Sequence, residues 1–261
     1  QSGTVRTVSG GNTISGRKSE FLSSFRADQD RAFKAGRGTS ANSGRSNGST
    51  FGPYRSGSIG GDGSNGLLTF EAEPSILTQY QSAGLNLPTI SQVDAPSNAI
   101  TYNLDMTAAM AGNKFGPQVE IKSAEDLASS SLFRTESGSG FAIKPDGDIV
   151  AVFASSTEPA GGSYAMLQAA VQAGGNKLDA FDTFLPDIYK RVGFRPVARL
   201  PWNDEFAPPG WDKEGVFKKY NNGEPDIIFF VHDSEYFGGA TDVPVVTDYD
   251  DAVKLQNEAL K

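Results

Sequence analysis

The segment from Gly140 to Trp202 constrains the fold of this chain most, because turn residues divide it into short apolar runs of two different periodicities. Two β-favouring runs, Phe141 to Lys144 and Ile149 to Phe153, flank the sequence Pro145-Asp146-Gly147-Asp148. Turn residues between two such runs predict a β-hairpin, with a glycine available for positive φ.

A glycine turn then opens a helix. Gly161-Gly162 precede the run Ser163 to Ala173, which carries apolar residues at helical spacing and ends at Gly174-Gly175. A helix that begins after such a turn presents free backbone N–H groups and the positive end of its dipole. We therefore expect the turn to favour an anion.

The remainder of the segment continues the alternation. Lys177 to Phe181 is a strand candidate, Phe184 to Val192 is a helix candidate ended by Gly193, and Phe194 to Leu200 is again a strand candidate. The order strand, glycine turn, helix, strand, helix, strand predicts an α/β fold.

The run Leu185 to Phe194, LPDIYKRVGF, resembles the LYxxxGF segment of the GNAT superfamily of N-acetyltransferases. The Gly161-Gly162 turn stands where that family places its pyrophosphate loop. The resemblance implies a mixed, splayed sheet flanked by helices over residues 67–261, with acetyl-CoA as the cofactor and an amine as the acyl acceptor. Tyr189 matches the tyrosine that protonates the departing thiolate. The implied cofactor contacts are Phe153, Ala154, Ser155, Gly161, Gly162, Ser163 and Asp182.

The loop Glu158 to Ser163 reads Glu-Pro-Ala-Gly-Gly-Ser against the family pattern Gln/Arg-x-x-Gly-x-Gly/Ala. The central glycine matches, the first position is acidic and the last is serine. An anionic Glu158 facing a pyrophosphate is unfavourable, so the sequence predicts a weakened cofactor site.

An amine acceptor must lose a proton, which requires a base within reach. His232, the single histidine, is the predicted catalytic base. A hydrogen-bonded structural histidine at a strand end is the alternative, and a core tyrosine is the alternative for Tyr189. The carboxylates that could serve instead are Glu120, Asp179, Asp182 and Glu205.

Several further elements are predicted outside the central segment. Ser123 is predicted to cap a short helix, and Ser130 to Thr135 is an alternative strand to Ile100 to Met106. The other predicted elements are a helix at Pro74 to Ala83, strands at Ile100 to Met106, Val119 to Lys122 and Asp226 to His232, and a helix at Asp248 to Leu260.

Residues 1–66 form an arm of different composition. They hold nine Lys/Arg and four Asp/Glu, whereas the rest of the chain holds 14 and 27. Ser19 to Ala35 has aromatic residues on one helical face and predicts an amphipathic helix. Gly36 to Gly66 is so rich in Gly and Ser that it predicts a flexible linker. We expect the basic arm to bind a protein partner, in the manner of a chain anchored in a larger assembly.

Composition excludes several classes of function. The chain has no cysteine and one histidine, which rules out disulfides, thiolate chemistry and a multi-histidine metal site. No apolar run reaches the roughly 20 residues that a membrane span needs, so no membrane partner is predicted. The acidic body makes nucleic acid an unfavourable partner.

The sequence and its family resemblance predict two alternative functions. The first is an acyl-CoA-dependent N-acyltransferase. The second is a structural protein with a degenerate GNAT-like domain, similar to those in bacteriophage proteins, anchored by its arm. A phage origin would place it in a virion or in the bacterial cytoplasm.

Overall fold

The computed structural model describes residues 54–59, 66–72, 74–82, 84–85, 87–236, 238 and 242–261. The predicted arm helix at 19–35 and most of the predicted linker lie outside these residues. Helices flank antiparallel sheets throughout the described part, so the α/β class is confirmed.

Nine strands are described, and they form two antiparallel sheets. The first sheet has the order β1-β2-β3-β4-β5-β6 and the second has the order β7-β9-β8. The ladders are antiparallel, whereas the sequence predicted a mixed sheet, and parallel pairing among the described residues is limited to isolated bridges. The strands are β1 (Tyr54–Ile59), β2 (Leu67–Ala72), β3 (Ile90–Val93), β4 (Ser131–Thr135), β5 (Gly140–Ile143), β6 (Ile149–Phe153), β7 (Lys177–Phe181), β8 (Phe194–Leu200) and β9 (Ile227–His232).

The α-helices of the described part are α1 (Pro74–Ser82), α2 (Ala95–Ala111), α3 (Ala124–Ala128), α4 (Gly162–Gln172), α5 (Leu185–Arg191) and α6 (Tyr249–Ala259). Short 3-10 turns lie at Gly116–Gln118, Asp204–Phe206 and Asn221–Gly223. Ser123 caps α3, as predicted, by accepting a hydrogen bond from the Asp126 N–H at 3.1 Å. The central hairpin, the predicted helices α1, α4, α5 and α6, and the predicted strands β7, β8 and β9 are confirmed to within one residue at each end.

The predicted strand at Ile100 to Met106 is wrong, because these residues lie inside α2. Asp94 caps this helix by accepting from the Ser97 N–H at 3.1 Å, and a proline occupies its first turn. The buried residues of α2 recur at helical spacing, and they are Ala99, Tyr102, Met106 and Met110.

The predicted strand at Val119 to Lys122 is also wrong. This run follows the 3-10 turn as irregular chain, and the Asn103 side-chain amide donates to the Lys122 carbonyl at 2.7 Å, which ties it to α2. The alternative strand at Ser130 to Thr135 is confirmed as β4.

A strand also lies within the predicted linker. β1 pairs along its whole length with β2, from Tyr54 opposite Ala72 to Ile59 opposite Leu67. The first sheet therefore begins upstream of residue 67, where the sequence analysis placed the start of the domain.

The helices cover both faces of the sheets. On one face α4 and α5 bury Phe133, Phe141 and Leu178 in the largest core. On the other face α2 packs on the first sheet, and α6 packs on the second sheet against Phe229 and Val231. We call these the α4/α5 face and the α2/α6 face.

A bulge interrupts β6 at Ala151. The β5–β6 register shifts between Gly140 and Ala142, and Ala151 has a φ of 51°, which is uncommon for a residue with a side chain. The buried Tyr102 hydroxyl donates to the Ala151 carbonyl at 3.0 Å and so stabilises the bulge. A Cβ at Gly140 would lie 2.8 Å from that hydroxyl, so glycine is needed beside it.

We expect Tyr102→Phe to lower the free energy of unfolding by about 1–3 kcal/mol, because it leaves the buried Ala151 carbonyl without its donor. Urea denaturation measures the loss. The matched control is Tyr220→Phe, at a half-buried tyrosine whose hydroxyl donates no hydrogen bond within the described part. Equal stability of the two variants would show that the bulge does not depend on Tyr102.

Candidate active site

β6 and β7 meet at one point and form no ladder beyond it. Asp148, directly before β6, makes an isolated parallel bridge with Lys177 at the start of β7. Otherwise, in the described part, β6 pairs with β5 and β7 pairs with β9. Among the described residues, no strand pairs with the other edge of β6 or of β7, and these two edges face each other. We call this gap the splay; it opens toward Phe153 and Phe181.

The chain leaves β6 through a turn, residues 154–161, at the open end of the splay. Gly161 has a φ of 99°, and α4 begins at the next residue without a side-chain cap. Ser155 holds the turn to the β4–β5 connection: its N–H donates to Ser139 Oγ at 2.9 Å, and its hydroxyl donates to the Ser137 carbonyl at 2.7 Å. The turn thus brings an uncapped helix N-terminus to the open end.

Glu158 folds over that N-terminus. A Cβ on Gly162 would clash with the Glu158 carboxylate, so any larger residue at this position would push the Glu158 side chain aside. Thr135 Oγ1 donates to Glu158 Oε2 at 2.7 Å. Oε1 is buried and has no hydrogen-bond partner within the described part. A carboxylate of the chain itself therefore stands where the sequence predicted an external anion.

A cavity of about 340 Å³ lies between this turn and α5. Four of the residues predicted as cofactor contacts line it: Ala154, Gly161, Gly162 and Ser163. Arg191 is the one cationic side chain among its described lining residues, and sequence reasoning missed it. Its place two residues after Tyr189 in the same short helix was the available signal.

Tyr189 lies on α5, the helix beside this cavity. Its side chain is 8% exposed, and its ring packs against Phe194 and Phe230, with centroids 6.3 and 5.8 Å away. Burial, and then the charge of Asp179, raise the pKa of the Tyr189 phenol above its ordinary value. Its hydroxyl forms no hydrogen bond with another described residue. The phenol is therefore protonated at neutral pH and free to donate.

His232 and Asp182 lie at opposite ends of the second sheet. The His232 N–H donates to the Asn176 carbonyl at 2.7 Å near the bridge, and the Asp182 N–H donates to the Asp226 carbonyl at 2.7 Å near the other end. The two residues are far apart because β7 and β9 run antiparallel. Asp182 follows the end of β7, which lies beside the start of β9, whereas His232 is the last residue of β9. The structure does not bring these two predicted residues together.

Their contacts indicate structural positions. The His232 ring packs edge-on against Phe194 at 5.4 Å, and burial lowers the pKa of its imidazole. Asp182 Oδ2 lies 3.3 Å from Arg199, which also pairs with Asp226 at 2.9 Å. Phe153, a predicted cofactor contact, is buried with its ring 5.3 Å from Tyr102 on the α2/α6 face.

The remaining predicted carboxylates differ in position. Glu205 is exposed in the Asp204–Phe206 turn. Glu120 is exposed and paired with Lys122. Asp179 lies on β7 itself, two residues beyond the bridge, and accepts a hydrogen bond from the Tyr249 hydroxyl at 3.0 Å.

No family model, curated protein or solved structure matches the chain. Within the described ranges, no group of His, Asp or Glu is arranged to hold a metal ion. None of the described helices is both long enough and apolar enough to span a membrane.

Proposed function

We propose that the chain is a GNAT-like, acyl-CoA-dependent N-acyltransferase that holds acetyl-CoA in the splay and passes the acyl group to an amine. One observation carries this proposal. Two parallel strands separate from a single bridge, with an uncapped helix N-terminus at their open end.

The free strand edges supply the first part of a cofactor site. An extended chain with amide groups can bind to an exposed strand edge through main-chain hydrogen bonds. The pantetheine arm of coenzyme A is such a chain, since it is narrow and carries two amides. The edges of β6 and β7 would thus hold it and direct its thioester toward the Asp148–Lys177 bridge.

The glycine turn supplies the second part. A pyrophosphate at the open end would meet the N-terminus of α4 and the Arg191 guanidinium, both of which favour an anion. Glu158 opposes this and has to move aside as the cofactor enters.

Tyr189 supplies the chemical group. A thiol has an ordinary pKa near 8.5, below the raised pKa of the buried phenol. Complete proton transfer to the departing sulfur is therefore uphill, and we propose that Tyr189 stabilises the thiolate by donating a hydrogen bond to it. This departs from the full protonation that the family resemblance implies.

The Glu158 carboxylate favours a second candidate function. Because an internal anion occupies the turn, the domain would serve as a structural scaffold without turnover, anchored through residues 1–66 to a protein partner in a larger assembly. The two functions differ in whether acetyl-CoA binds at all.

Calorimetric titration with acetyl-CoA separates them. The proposal predicts micromolar binding that weakens about tenfold or more in Arg191→Glu, which reverses the charge at the cavity. Lys190→Glu makes the same change on the same helix outside the cavity lining and should bind as the wild type does. Absence of heat in both the wild type and Glu158→Gln would overturn the enzymatic proposal and leave the scaffold.

A further inference from the structure

Asp179 occupies a defined place beside the splay. It follows the bridging Lys177 by two residues on the same strand, so it lies about 7 Å further into the splay. Its partner in the β7–β9 ladder is Phe229, which packs in the core of the α2/α6 face and contacts the ring of Tyr249 on α6. Tyr189 packs in the core of the opposite face. The two groups thus flank β7 from opposite sides.

The charged side chains around Asp179 form ion pairs with one another, whereas Asp179 itself forms none within the described part. The two carboxylates that interact with it each have a lysine partner: Glu120 pairs with Lys122, and Asp148 pairs with Lys144 at 2.7 Å. Lys177, on the same strand, is paired with Asp146 at 2.8 Å. Asp179 has no cationic partner within 4 Å in the described part, and Tyr249 gives it a neutral donor. A carboxylate on β7, the strand that borders the splay, is thereby left available for a cation from outside.

The surroundings also adjust the basicity of Asp179. Enclosing protein, and then the charge of Asp148, raise the pKa of its carboxyl toward about 6, while the Tyr249 hydrogen bond and Lys122 lower it and Glu120 adds to the rise. Lys144 and Tyr189 also interact with it electrostatically. Asp179 is nevertheless an exposed residue, and the solvent around its carboxyl limits this rise in pKa. A carboxylate with a raised pKa is a stronger base than an ordinary aspartate.

We propose, on the basis of the proposed function, that Asp179 is the general base and that the acceptor is a primary alkylammonium group entering from the α2/α6 face. Asp179 relays one proton from the ammonium nitrogen to solvent; the transfer is uphill, because a carboxyl is a stronger acid than an alkylammonium, and it is completed by release of the proton to water. The free amine then attacks the thioester carbon, so a C–N bond forms and the C–S bond breaks. The second proton lost from nitrogen ends on the coenzyme A sulfur, whose departure Tyr189 assists.

The test uses n-butylamine as the acceptor probe and follows the release of coenzyme A thiol from acetyl-CoA. Asp179→Asn should lower kcat about 100-fold or more near neutral pH without changing the affinity for acetyl-CoA. Glu125→Gln, an exposed acid on α3, makes the same change of charge elsewhere and should keep wild-type turnover.

The pH profile gives a readout that a purely structural role would not move. Asp179 must be ionised to accept a proton, so wild-type turnover should rise with pH through the raised pKa. Tyr249→Phe removes a hydrogen bond that lowers this pKa, so the acidic limb of the profile should move to higher pH. Asp179→Asn should abolish that limb.

The outcomes separate this inference from the proposed function. Full turnover in Asp179→Asn, or an acidic limb that Tyr249→Phe leaves in place, overturns the role of Asp179 alone. Binding of acetyl-CoA without thiol release in the wild type overturns the acceptor class and leaves the cofactor site standing. Absence of acetyl-CoA binding overturns both.

Discussion

Tyr189→Phe is expected to lower the turnover number about 100-fold while the dissociation constant for acetyl-CoA stays unchanged. The removed hydroxyl acts only as the C–S bond breaks, because the substrate sulfur carries no charge before that step. The ring keeps its packing against Phe194 and Phe230, since phenylalanine preserves its shape. Stopped-time assays of thiol release give kcat, and calorimetric titration gives the affinity.

The stability of this variant is its internal control. The Tyr189 hydroxyl has no hydrogen-bond partner within the described part, so its loss should leave the urea midpoint nearly unchanged. A variant that folds, binds acetyl-CoA and turns over at the wild-type rate would remove Tyr189 from the mechanism and return it to the core tyrosine that sequence reasoning also allowed.

Glu158→Gln is expected to strengthen acetyl-CoA binding about tenfold. The substitution removes a negative charge from the N-terminus of α4, where the pyrophosphate is proposed to sit, and a repulsion of about 1.4 kcal/mol accounts for that factor. Two unit charges 4 Å apart interact by up to about 4 kcal/mol near a protein surface, so the estimate is modest. Glutamine keeps an acceptor for the Thr135 hydroxyl.

Calorimetry of the variant is compared with Glu136→Gln, which removes a charge from the exposed β4–β5 connection without touching Gly162. That control should bind acetyl-CoA as the wild type does. Equal affinities in all three proteins would mean that no anion binds at the glycine turn, which contradicts the proposed placement of the pyrophosphate.

Much of the fold was predictable because local signals decide it. Gly147 marks the central hairpin, Gly161 marks the start of α4 and Gly193 marks the end of α5, and all three adopt positive φ. Ile100 to Met106 was wrongly predicted as a strand, because a short apolar run is compatible with a strand and with a helix. The Asp94 cap and the helical spacing of Tyr102 and Met106 are the signals that distinguish them.

The strand β1 could not be found from its own composition. Its segment is short and rich in Gly and Ser, and it is ordered by pairing with β2. Strand formation at a sheet edge depends on a partner distant in sequence, which local propensity does not report.

The site was predictable in part. Gly161, Gly162 and Ser163, which the sequence singled out, line one cavity together with residues of the helix that carries Tyr189. His232 and Asp182, in contrast, lie at opposite ends of the second sheet. The position of Glu158 over Gly162 depends on Thr135 from a different strand, and the role proposed for Asp179 depends on lysine pairing around it. Such contacts arise only when the sheets assemble.

Amide hydrogen exchange with and without acetyl-CoA tests the central claim most directly. If the splay holds the cofactor, exchange should slow in residues 149–163 and 177–181 and stay unchanged in α6. A second cavity, of about 420 Å³ between β8 and α6 and lined by Arg195, Pro244 and Leu255, is the natural alternative site. Protection confined to that region, or absent altogether, would contradict the account.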